Sequence, residues 1–85
     1  MYQLYKNTQL VLHCKLKEIM KAQKISANQL AITIEERRPT INNLINNKEM
    51  DKRQIPARLI AKLCIHLNVT PNDLFEVEMN IKGIN

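Results

Sequence analysis

Apolar residues recur at intervals of three and four through the middle of this chain and at intervals of two near its ends, and that change of period divides it into elements. Leu16, Ile19, Met20 and Gln23 share one helical face, with Lys15, Lys17, Glu18 and Lys21 on the other, which predicts an amphipathic helix from about Cys14 to Gln23. Ser26 is placed to cap a second helix, Ala27 to about Ile34, whose inward positions are Leu30, Ala31 and Ile34. A third begins near residue 38, because the fixed φ and missing N–H of Pro39 suit a first helical turn. Ile41, Leu44 and Ile45 form its core side, and Asn46-Asn47-Lys48 closes it, since Asn enters the left-handed conformation more readily than other residues with a side chain.

A mixed-charge loop, Glu49 to Gln54, follows. Pro56 then opens the strongest periodic segment, in which Leu59, Ile60, Leu63, Cys64 and Leu67 make one stripe up to Asn68. Thr70-Pro71-Asn72-Asp73 supplies a cap, a first-turn proline and an acid at the positive end of a helix dipole, predicting a last short helix that contains Leu74 and Phe75. Near the ends the period is two. Phe75, Val77, Met79 and Ile81 alternate with Glu76, Glu78 and Asn80, and Gln9 to His13 is also suited to extended chain. Such segments can pair within one chain or between two, or remain a frayed tail, and the residues alone do not choose.

The third helix has a polar face that its core cannot use. Pro39, Asn43 and Asn46 fall opposite Ile41, Leu44 and Ile45, Asn42 and Asn47 flank them, and Arg37 and Arg38 stand at the entrance. An Asn-rich helix face is by default a solvated surface. Asn and Arg are also the side chains that make paired hydrogen bonds to adenine and guanine edges, so a short helix presenting them suits the major groove of double-stranded DNA.

Composition fits that reading without requiring it. Eighty-five residues, 45% hydrophobic and 25% charged, describe one small globular domain, and a single Gly and three Pro argue against a long flexible linker. The net charge of +5 permits binding to a polyanion. Residues 1–24 hold five Lys against one Glu, whereas 73–85 hold Asp73, Glu76 and Glu78 against Lys82, so the C-terminal end is expected to point away from phosphate. No apolar run approaches the ~20 residues that span a bilayer, and the opening Met-Tyr-Gln-Leu-Tyr-Lys-Asn has no secretory leader pattern, so a cytoplasmic location without membrane contact is expected. Cys14 and Cys64 lack CxxC spacing and read as small core side chains. His13 and His66 are the only imidazoles, neither has a nucleophile or carboxylate at motif spacing, and there is no phosphate-binding Gly loop; no catalysis, metal or cofactor is expected.

Three runs carry a resemblance: Leu16 to Ala31 with its Ser26-x-x-x-Leu30-Ala31 start, Arg37 to Lys48 with Thr40-Ile41-x-x-Leu44 and a closing Asn46-x-Lys48, and Leu63 to Phe75 with Leu67-x-Val69-x-Pro71-x-Asp73-Leu74-Phe75. Together they resemble the Cro/C1-type (XRE-like) helix-turn-helix transcriptional regulators over residues 12–78. The resemblance implies an all-α, five-helix, lambda-repressor-like DNA-binding domain across 1–85, to which the alternating ends can add short terminal β-strands, with a helix-turn-helix unit at 26–48 and operator binding as a homodimer with the third helix in the major groove. It places base reading at Arg38, Pro39 and Asn43, phosphate contact at Thr40, Asn46 and Lys48, Arg37 near the backbone and Asn42 beside the reading face.

Two departures qualify it. Ala27 stands where the family often uses Gln to anchor phosphate, leaving that task to Asn28 or Gln29. The turn, usually Gly then an apolar residue, is Glu35-Glu36. A left-handed Glu costs about 1 kcal/mol relative to Gly, which predicts a reshaped turn, and two carboxylates near DNA would repel phosphate. The alternative class is a protein-binding helix-turn-helix module, antitoxin-like or anti-repressor, with Glu35 and Glu36 facing a basic protein partner.

Overall fold

A computed structural model describes residues 8–81, with side chains over 11–78; the opening heptapeptide, with Lys6, and Lys82 lie outside the described residues. In chain order the elements are β1 (Thr8–Cys14), α1 (Leu16–Gln23), α2 (Ala27–Ile34), α3 (Arg38–Ile45), α4 (Ala57–Leu67), α5 (Pro71–Leu74) and β2 (Phe75–Ile81). The architecture is the expected five-helix domain with two short strands added. β1 and β2 pair antiparallel within the chain, from Thr8↔Ile81 to Cys14↔Phe75, which decides the pairing that the alternation left open.

Two boundaries differ from the periodicity. Cys14, expected to open the first helix, ends β1, and Phe75, expected in the last helix, begins β2. One bond explains both: the Lys15 N–H donates to the Leu74 carbonyl at 2.7 Å, extending the strand contact to the edge of each helix. α1 can start only after it, and the extended backbone of Phe75 (φ −126, ψ 150) stops α5 after a single turn.

The core collects the inward stripe of every helix: Leu16 and Met20 from α1, Leu30, Ala31 and Ile34 from α2, Ile41 and Leu44 from α3, Leu59, Leu63 and Leu67 from α4, and Leu74 from α5, with Cys14 beneath. Burying each of the larger side chains contributes ~1.5–3 kcal/mol. Met50 joins them from what the sequence presents as a polar loop. No polar or charged residue is among those buried in the described part of the chain.

Caps fix the helix entrances. Ser26 Oγ accepts from the Gln29 N–H and Gln29 Oε1 accepts from the Ser26 N–H, both at 3.1 Å, a reciprocal capping box that starts α2. Thr70 and Asp73 make the same pair of bonds at α5. The exits share a device too: Lys24, Glu35, Asn47 and Asn68 all take positive φ after α1 to α4, in a chain with one Gly.

Candidate nucleic-acid interface

α2 and α3 meet at a tight turn, and its backbone corrects the expectation of a reshaped loop. Glu35 takes the left-handed conformation itself, φ 58 and ψ 52. The Glu36 N–H reaches back to the Ala31 carbonyl at 2.9 Å, a Schellman-type closure that satisfies the end of α2. The Glu35 side chain lies in solvent, so the strain stays within the backbone. Glu36 instead folds toward α4, where its carboxylate accepts from Lys62 Nζ at 2.9 Å. Only one of the two acids is therefore an uncompensated negative charge near the turn.

Arg37 caps α3 from an extended conformation and Pro39 occupies its first turn, as the sequence implies. Ile41 and Leu44 are buried, which fixes the rotation of the short rod. That rotation leaves Arg37, Arg38, Pro39, Asn46 and Lys48 exposed and Thr40, Asn42 and Asn43 half-buried. The side-chain hydrogen bonds among the described residues involve none of Arg37, Arg38, Asn42, Asn43 and Asn46, so their donors and acceptors stay available. Thr40 sits to one flank, beside a cavity of about 230 Å³ that Glu36, Leu44 and Arg53 also line. At the start of α2, Asn28 and Gln29 are exposed, but the Gln29 Oε1 is occupied by the capping box, which leaves its amide N–H groups to face outward.

Asn47 departs from its expected place on the flank of the outer face. Its carboxamide turns to β1, where Oδ1 accepts from the Cys14 N–H at 2.6 Å and Nδ2 donates to the Cys14 carbonyl at 3.0 Å. Arg53 adds a second tie, its Nε donating to the Lys48 carbonyl at 3.0 Å. Sequence reasoning places Asn47 in this region but not its side chain on β1, and it gives Arg53 no part here. The available signal was Asn47 in a left-handed exit, which singled out its backbone but not its side chain.

The remaining chemistry is quiet. Burial pushes the thiols of Cys14 and Cys64 up, which disfavours the nucleophilic thiolate form. Among the described residues no cluster of three or more His, Cys, Asp or Glu side chains is placed to hold a metal ion, and no helix is long and apolar enough to cross a membrane.

Comparison with curated proteins gave no match. The family model for the Cro/C1-type HTH DNA-binding domain matches residues 15–80. That span takes in all five helices and most of β2. The chain belongs to the Cro/C1-type helix-turn-helix DNA-binding family.

Proposed function

We propose that this protein is a sequence-specific, double-stranded-DNA-binding transcriptional regulator, a single domain that acts in the cytoplasm as a homodimer and lays α3 in the major groove. The observation that carries this reading is the outward set of Arg and Asn side chains on α3 that no described neighbour engages. An amide or guanidinium without an internal partner can give its full pair of hydrogen bonds to a base edge, with ~1–3 kcal/mol of discrimination for each good pair. Arg38 and Asn43 read bases and Pro39 packs beside them, with Asn42 next to that face. Arg37, Thr40, Asn46 and Lys48 meet phosphates, and Asn28 or the free amide of Gln29 anchors the strand at the start of α2.

The protein-binding alternative loses ground at the turn. Glu36 already answers Lys62, so a basic partner would find one acid there, not two.

Duplexes selected from a random library, tested at two salt concentrations, decide the matter. Binding should be sequence-selective and fall steeply with salt. Asn43→Ala should relax preference at one base pair at a cost of ~1–3 kcal/mol, while Lys48→Ala should weaken every duplex alike and lower the slope of log affinity against log salt by about 0.9. Equal losses for both variants on every duplex would contradict the assigned roles, and no selectivity in the wild type would remove the reading itself.

A further inference from the structure

Asn47 is the second residue past α3, between two residues assigned to phosphate, and does something neither neighbour does. Cys14 pairs with Phe75 in the ribbon, yet its own N–H and C=O point away from β2 and are both taken by one carboxamide. Asn47 thus acts like one residue of a missing third strand, closing the outer edge of β1. An Ala there would leave two polar groups of a residue that is 0% exposed without these partners. A Gly would fit the left-handed backbone (φ 52) at least as well but could not make either bond. The side chain, then, is not required by the turn. Its effect is to tie the exit of α3 to an element 33 residues away in sequence.

We propose that Asn47 is a positioning residue for DNA recognition: by fastening the exit of α3 to β1 it fixes where Asn46 and Lys48 meet the phosphate backbone. α3 has only eight residues, so its exit is close to every group it presents. Its start is held by the turn at Glu35 and its middle by Ile41 and Leu44. The exit is held by the two Asn47 bonds and by Arg53 on the Lys48 carbonyl. Without the clamp the exit pivots about the buried Ile41–Leu44 contact, and the Lys48 ammonium moves off its phosphate while the charge of the protein is unchanged.

That last point supplies the test, which rests on the DNA reading above. The variant is Asn47→Gly, which keeps the left-handed backbone and alters no charge. It is measured at a temperature where circular dichroism shows the variant folded. The expected result is a loss of affinity of about tenfold together with a drop of about 0.9 in the salt slope, the same signature as Lys48→Ala, from a neutral-for-neutral change. A residue that only stabilised the fold would leave both untouched in the folded variant, and that outcome overturns the proposal.

A second measurement needs no variant. Because coupling is reciprocal, DNA that engages α3 should slow hydrogen exchange at the Cys14 amide of the wild type, and an unchanged rate counts against the clamp. If the wild type binds no duplex, the DNA reading has failed, and residual dipolar couplings of the free protein then judge the clamp alone. A reoriented α3 in Asn47→Gly keeps the mechanical part of the proposal, and an unmoved α3 ends it.

Discussion

Replacing Glu35 with Gly should make this protein more stable, although it deletes a side chain and adds none. Glu35 sits at φ 58 and ψ 52, where a residue with a Cβ crowds the following carbonyl at a cost of ~1–2 kcal/mol. Gly escapes that crowding but has more freedom to lose on folding, a penalty of ~0.4–1 kcal/mol. The difference favours Gly by on the order of 0.5–1 kcal/mol. For 85 residues the unfolding entropy near the midpoint is about 180 cal/mol/K, so the melting temperature should rise by about 3–6 °C.

The carboxylate complicates this, since it lies at the negative end of α2 and close to the positive start of α3. Glu35→Ala separates the two effects: it removes the same charge and keeps the Cβ. Thermal melts of the three proteins followed by circular dichroism are the assay. If Ala raises the midpoint as far as Gly does, charge and not backbone strain is responsible. If Gly melts at or below the wild type, the strain argument is refuted.

The same structure makes other outcomes definite. Leu63→Ala, at a site of 0% exposure in the middle of α4, should cost ~2–5 kcal/mol in denaturant unfolding, whereas Ile65→Ala, two residues on at 83% exposure, should stay within about 0.5 kcal/mol of the wild type. Asp73 is held below its ordinary value of 3.8, first by the Thr70 N–H and then by the Thr70 hydroxyl. A carboxyl depressed in the folded state contributes its full stability above that ordinary value and loses it as pH falls through the lower, folded one. Acid unfolding of Asp73→Asn should therefore show a flatter limb at low pH than the wild type, and identical limbs would mean that the α5 capping box does not couple to stability.

What could be read from the residues alone follows the range of the interactions involved. α2, α3 and α4 were legible because their stripes and caps are local: Ser26 lies three residues from Gln29, and Pro39 within the turn it starts. The outward face of α3 was legible as the complement of Ile41 and Leu44. The errors at Cys14 and Phe75 came from a bond between Lys15 and Leu74, a pairing that no local window contains. The turn of the Asn47 carboxamide from the flank toward β1 escapes a local reading for the same reason, since its partner is 33 residues distant and a helical wheel has no meaning beyond the last helical residue. Met50 lies in the loop but gives no sign of its burial, because one apolar residue among charges carries no period. At Glu35 a correct local energy led to the wrong geometry. A cost of about 1 kcal/mol is small beside burying Leu30, Ile34, Ile41 and Leu44 around the turn, so the turn holds Glu35 left-handed and absorbs the strain.

The ribbon sets Thr8 directly across from Ile81, six residues along each strand from the Cys14↔Phe75 pair. At the usual rise of a strand that is about 20 Å from the Asn47 clamp. Reporter groups attached at Thr8 and at Ile81 would therefore report on each other's distance whenever the ribbon is closed, remote from the Asn47 clamp.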